Sequence, residues 1–135
     1  LIQKPETPVY VMADGRHFWR VIDNLMNNIC KYAQPGTRVY VDLRENGGQV
    51  ELIFRNTSRY PLNISSEELM ERFVRGDESR NTEGSGLGIS IAKSLMELMG
   101  GSFMLYVDGD LFKVALGFAQ MEEEKEPLDE DKSGK

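Results

Sequence analysis

Asn46-Gly47-Gly48 separates two runs that alternate apolar and polar residues, RVYVDLRE (38–45) and QVELIFRN (49–56). An Asn-Gly pair supplies the left-handed backbone that a tight hairpin turn needs, so the two runs are expected to pair antiparallel. A second signal of the same kind lies near the end of the chain, where SFMLYVDGD and LFKVALGFA meet at Asp108-Gly109-Asp110. VYVMAD (9–14) reads as a further short strand. Between the strands the period changes. Asp14 can cap a helix from about Arg16 to Ala33, which Pro35-Gly36 stops. Ser65-x-x-Glu68 is a capping box opening a short helix over SSEELMERFV (65–74). Residues 75–86 are charged, small and glycine-containing, and read as a mobile loop. A second long helix follows from Leu87 to Met99 and ends at Gly100-Gly101. There is no internal repeat. These elements predict an α/β two-layer sandwich: a mixed, mostly antiparallel sheet with helices packed on one face.

Charge divides the chain. Residues 121–135, MEEEKEPLDEDKSGK, hold seven acids and three bases, while the other 120 residues are near neutral within a total of −6. The division predicts one domain over 1–120 and an acidic tail without fixed structure over 121–135. No basic footprint for nucleic acid is present. No apolar run reaches the roughly 20 residues of a membrane span. The start at Leu1 suggests a piece of a longer chain. The single cysteine, Cys30, excludes an internal disulfide and a cysteine-based zinc site, and its place in an apolar helical pattern predicts burial. It also suits a reducing, cytoplasmic setting.

In the first helix, Phe18, Ile22, Leu25 and Ile29 recur at helical spacing and form the expected core stripe. Trp19 is expected to anchor packing, and the seven methionines to fill core. Asn24, Asn28 and Lys31 share another face, roughly 120° away at about 100° per residue. Asparagine is a poor interior helix residue, because its amide competes for the backbone. The face is either a solvated surface or a ligand face, since an amide oxygen can hold Mg²⁺ while a lysine meets phosphate oxygens.

GSGLG (84–88) places three glycines at a helix start, where unpaired N–H groups and the helix dipole favour an anion. It is neither a Walker A loop nor a dinucleotide fingerprint. Taken with its neighbours it resembles something more specific. NLMNNICKYA (24–33) is similar to the N box, ERFVRGDESR (71–80) to the F box and the start of the ATP lid, and GSGLGISIAKSLMELMGG (84–101) to the G2 box, of the ATP-binding catalytic domain of bacterial sensor histidine kinases. That family belongs to the wider gyrase, heat-shock chaperone, histidine kinase and mismatch-repair ATPase superfamily. The resemblance spans about residues 9–118.

The resemblance implies the Bergerat ATP-binding fold, with ATP and Mg²⁺ as cofactors. It makes Asn28 the magnesium ligand and Asn24 a support for the phosphate site, with Lys31 and Tyr32 facing the nucleotide. Arg75 matches the lid residue that reaches the terminal phosphates, and Arg80 is a second, weaker match. Gly84, Gly86, Leu87 and Gly88 match the backbone wall around the triphosphate. The G1 box departs from the pattern. After VELIF the chain reads RNTSRYPLN, so Asn56 stands where the family has an adenine-binding aspartate, and both glycines are missing. An amide carbonyl still accepts that bond, without charge assistance.

By the same resemblance the chain is the nucleotide half of a protein-histidine kinase. Its partners are a dimerisation domain bearing the phosphoacceptor histidine and a response-regulator receiver domain. The parent is expected to be anchored in the membrane with this domain cytoplasmic, and the fragment itself monomeric. His17, followed by Phe18-Trp19, lacks the acidic neighbour of a family phosphoacceptor. Two other readings stay open: a regulatory nucleotide-binding module with weak or no kinase activity, supported by the altered G1 box, and a relative that phosphorylates a protein serine or acts as a clamp.

Overall fold

A computed structural model describes residues 1–60, 62, 64–79 and 87–122, apart from the side chains of 74–79 and 87. Six strands form one sheet. β1 (Ile2–Gln3), β3 (Tyr40–Asn46), β4 (Gln49–Thr57), β6 (Leu111–Met121) and β2 (Tyr10–Val11) lie in that order, and β5 (Ser102–Asp108) shares with β2 the far side of β6. Among the described strands only β1 on β3 is parallel; the β3–β4, β4–β6, β5–β6 and β2–β6 pairs are antiparallel. The sheet is therefore mixed and mostly antiparallel, as expected. Both hairpins form at their predicted turns, with Gly47, Gly48 and Gly109 at positive φ.

Helices α1 (Gly15–Tyr32), α2 (Ser66–Ser79) and α3 (Leu87–Leu98) supply the second layer. The Asp14 carboxylate accepts from the backbone N–H groups of Arg16 and His17 at 2.9 and 3.0 Å, confirming the cap. The Ser65 hydroxyl accepts from Glu68 N–H at 3.1 Å, which is one half of the predicted box. At the end of α3, Gly100 takes φ 81° while Gly101 N–H donates to Met96 C=O at 2.9 Å and Gly100 N–H to Glu97 C=O at 3.0 Å. This paired ending satisfies carbonyls that would otherwise be left open.

The core lies between the layers. Val21, Leu25 and Ile29 of α1 and Ile89, Ala92 and Met96 of α3 face Phe54, Val114, Leu116 and the neighbouring strand residues. The buried line of α1 thus runs through Val21, with Phe18 and Ile22 only packed against its edge.

Four expectations need correction. Cys30 is exposed and Trp19 is 68% exposed. Both lie on the turn of α1 opposite Val21 and Leu25, where steps of three and four residues join Trp19, Asp23, Met26 and Cys30. Methionine is not mainly core filler either: Met96 is fully buried, but Met12, Met26, Met104 and Met121 are exposed. Finally, α2 continues through Ser79, so residues 75–79 are helical rather than loop. Extending a helix costs far less than starting one, and the turn capped at Ser65 carries the backbone past Gly76. The rest of the predicted loop, 80–86, and most of the acidic tail lie outside the described residues.

Candidate functional site

The site is built at the end of α1. Stepping from Val21 and Leu25 by three and four residues leads to Asn28 and Tyr32, so the buried line of the helix ends in polar side chains. Directly beneath, the helix-facing alternation of β4 runs through Leu52 and Phe54 to Asn56, and continues past the strand end to Ser58. Backbone bonds join the two segments. Gln34 N–H donates to Thr57 C=O at 2.8 Å and Arg59 N–H to Tyr32 C=O at 2.7 Å, on either side of an Ala33–Ser58 bridge. Ser58 N–H also donates to Asp110 C=O at 2.7 Å.

These residues line a cavity of about 290 Å³. Asn28 and Tyr32 come from α1, Asn56 and Ser58 from β4 and its end, and Tyr60 and Leu62 from the segment beyond. Leu69, Arg72 and Phe73 of α2 form the opposite wall, and Phe112 of β6 the back. Phe73 meets Phe112 edge-on, with ring centroids 6.4 Å apart. Arg72 keeps its head near the Glu68 carboxylate at 3.6 Å, one turn back on α2.

The buried polar residues separate structure from site. Among the described residues they are Asp42, Asn56 and Ser58, at 4, 3 and 8% exposure. Asp42 lies on the other face of the sheet, where its carboxylate faces Arg55 at 3.1 Å and Arg44 at 3.6 Å. Asn56 differs: its amide makes no hydrogen bond among the described residues, and it opens onto the cavity. Ser58 takes Tyr60 N–H on its hydroxyl at 3.2 Å and retains a proton to donate. A buried amide without a partner is costly in a sealed core, so its place at a cavity wall fits a ligand that supplies the partner.

Asn24 shows the same lack one turn earlier. Its side-chain Nδ2 is buried with no partner among the described residues, and its amide lies beside Gly88 in the first turn of α3, 3.6 Å from where a methyl would stand there. The structure thus gathers Asn28, Tyr32 and Asn56 on one cavity, with Asn24 and Gly88 together nearby. Lys31 is half-buried on α1 but does not line the cavity. Arg75 lies on the backbone of α2 and Leu87 opens α3, and neither side chain is among those described. Arg80, Gly84 and Gly86 lie outside the described residues. Sequence reasoning missed Leu69, Arg72, Phe73 and Phe112 as wall residues. Ser58 was within reach, since the alternation that places Asn56 toward the helices also places the residue two further on.

No group of three or more His, Cys, Asp or Glu side chains gathers for a metal among the described residues. The donor set does not suit a cation held by the chain alone. It does suit Mg²⁺ arriving on phosphate oxygens, which keeps its waters and needs one neutral oxygen such as that of Asn28.

With this geometry in place, similarity to known proteins becomes informative. Residues 13–128 match the family model described as histidine kinase-, DNA gyrase B- and HSP90-like ATPase. The chain belongs to this ATP-binding family. It is 34% identical over 110 residues to the probable sensor protein PcoS of Escherichia coli, covering 78% of this chain and 24% of that protein. It is 31% identical over 102 residues to the sensor histidine kinase YcbM of Bacillus subtilis, covering 74% of this chain and 33% of that one. Among solved structures, the mycobacterial sensor histidine kinase MprB superposes with a TM-score of 0.69 at 26% identity, covering 88% of this chain and 80% of that one. The chain therefore spans a quarter to a third of the length of these two curated relatives. The expected class is borne out: this is the catalytic ATP-binding domain of the sensor histidine kinase type. No helix among the described residues is long and apolar enough to cross a membrane.

Proposed function

We propose that this domain binds ATP with Mg²⁺ and donates the γ-phosphate to a histidine on a dimerisation domain of its parent protein, for relay to a response-regulator aspartate. The observation that carries the reading is the convergence of Asn28, Tyr32 and Asn56, from two distant stretches of sequence, on one cavity. Phosphoryl transfer asks a protein mainly for positioning and charge neutralisation. In this reading the cavity holds the purine, with Asn56 and Ser58 at its polar edge and Phe112 and Tyr32 beside its faces. Asn28 supplies one oxygen to the Mg²⁺ that bound nucleotide brings, Asn24 supports the phosphates, and Lys31 and Arg75 meet their charge. Gly84, Gly86, Leu87 and Gly88 provide the backbone wall. Bound ATP supplies the transferable phosphoryl group; the acceptor histidine comes from elsewhere in the parent. The parent is anchored in the membrane with this domain on the cytoplasmic side.

Calorimetric titration with ATP, with and without Mg²⁺, tests the reading. Asn28→Ala is expected to remove the Mg²⁺-dependent part of the affinity. A variant that binds Mg-ATP as tightly as the parent overturns the metal assignment.

A second reading is favoured by one observation, Asn56 in place of a carboxylate: a nucleotide-binding regulatory module with little kinase activity. Transfer of labelled γ-phosphate to the parent's separately supplied dimerisation domain separates the two, because the regulatory module binds without transferring.

A further inference from the structure

Asn56 is 3% exposed, lines the cavity and has no hydrogen-bond partner among the described residues. Its amide carries an acceptor, Oδ1, and a donor, Nδ2, on one planar group. The terminal torsion of asparagine is broad and roughly two-fold, so the two can exchange places by a half-turn. Normally a neighbouring group fixes which way such an amide points. None does so here.

The other polar group beside it is equally adaptable. Ser58 accepts from Tyr60 N–H at 3.2 Å through a lone pair, leaving its hydroxyl proton free to rotate. A purine edge meeting this wall thus meets no fixed pattern of donors and acceptors. A 6-amino purine presents an N6–H donor beside the N1 acceptor, which Oδ1 and Nδ2 match in one orientation. A 6-oxo purine presents an O6 acceptor beside an N1–H donor, which the same two atoms match after the half-turn. A carboxylate at this position could accept from N6–H but would set an oxygen against O6, leaving both acceptors desolvated and unpaired.

We propose that the cavity takes 6-oxo as well as 6-amino purine nucleotides, and that Asn56 is the residue that admits both. The proposal rests on the nucleotide reading above and extends it to base selectivity. Admission of one base does not weaken the other, because each orientation of the amide makes the same two bonds.

The test is calorimetric titration of the chain with Mg-ATP and with Mg-ITP, whose hypoxanthine differs from adenine only at the edge in question. The expected result is affinities within about fivefold of one another. Asn56→Asp should then hold ATP and weaken ITP by at least about thirtyfold, as expected when a buried polar pair becomes two facing acceptors. If the parent chain binds Mg-ATP but binds Mg-ITP thirtyfold or more weakly, base admission by Asn56 is overturned and the nucleotide reading stands. If the parent binds neither, the nucleotide reading fails and the proposal with it. If Asn56→Asp folds and still binds both equally, another group sets the selectivity and the proposal is wrong. Should that variant not fold, the comparison on the parent chain decides alone.

Discussion

Phe112 and Phe118 face the helices from the same side of β6, roughly 20 Å apart along the strand. Around Phe118 the two layers close completely. Phe18 packs edge-on against it at 5.8 Å, and a methyl added at Gly101 would stand 3.0 Å from its ring, 2.8 Å from Met96 and 2.7 Å from the Gly117 carbonyl. Around Phe112 the same two layers part by a cavity of about 290 Å³, and the Asn56 amide in its wall has no partner among the described residues. One interface is thus sealed at one end and open at the other. An accident of loose packing would leave a void lined by apolar groups alone; here polar side chains arrive from both layers, as the proposed nucleotide site requires.

Three substitutions probe this contrast. The largest effect belongs to the closed end. Met96 is fully buried, and Met96→Ala should cost about 2–5 kcal/mol in denaturant unfolding, because its neighbours have little room to collapse. A loss under about 1 kcal/mol would show that this end is less tightly closed than it looks. At the open end the sign should reverse. Asn56→Leu replaces a buried polar group with no partner among the described residues, so stability should stay level or rise by up to about 1 kcal/mol, while Mg-ATP affinity falls. A substantial destabilisation would mean that the amide is bonded within the protein and not kept for a ligand. The smallest effect concerns the cap that seats the α1 end bearing Phe18. The His17 backbone N–H, and less strongly that of Arg16, hold the Asp14 carboxyl below its ordinary 3.8. Its contribution is therefore fully present above that pH and is lost as pH falls through the lowered folded value. The melting-temperature gap between parent and Asp14→Ala should be constant near neutrality and narrow in acid. A gap that widens on acidification would contradict the assignment.

What could be read in advance follows the range of the forces involved. The Asp14 cap, the Asn46-Gly47-Gly48 turn and the Gly100-Gly101 helix ending depend on contacts within a few residues, and each appears where its local chemistry requires. The strand read over 9–14 survives only as Tyr10–Val11, held by Met121 and Gln120, while β1 is two residues long and exists only through pairing with a distant strand, Ile2 with Val41. Nothing in two residues announces that. The misplacement of Trp19 and Cys30 has a different cause. α1 has enough apolar residues to draw stripes through either Val21 or Ile22, and only the opposing sheet decides which is centred. The candidate site shows the same division. Asn28 was legible on one helix face with Asn24 and Lys31, Tyr32 through the family resemblance, and Asn56 as an anomaly in a familiar pattern. The α2 wall was legible only as the F-box resemblance over 71–80, which says nothing of Leu69 or of which side chains face the cavity.

The backbone bonds between the end of α1 and the end of β4 have a consequence for how a ligand would experience this protein. Gln34 to Thr57 and Arg59 to Tyr32 clasp the two segments on either side of the Ala33–Ser58 bridge. The spacing of the backbone that carries Asn28, Tyr32, Asn56 and Ser58 is therefore set during folding, and the entropy of bringing those segments together is spent before any ligand arrives. A binding partner meets a ruler rather than a pair of fingers, and keeps more of its contact energy as affinity.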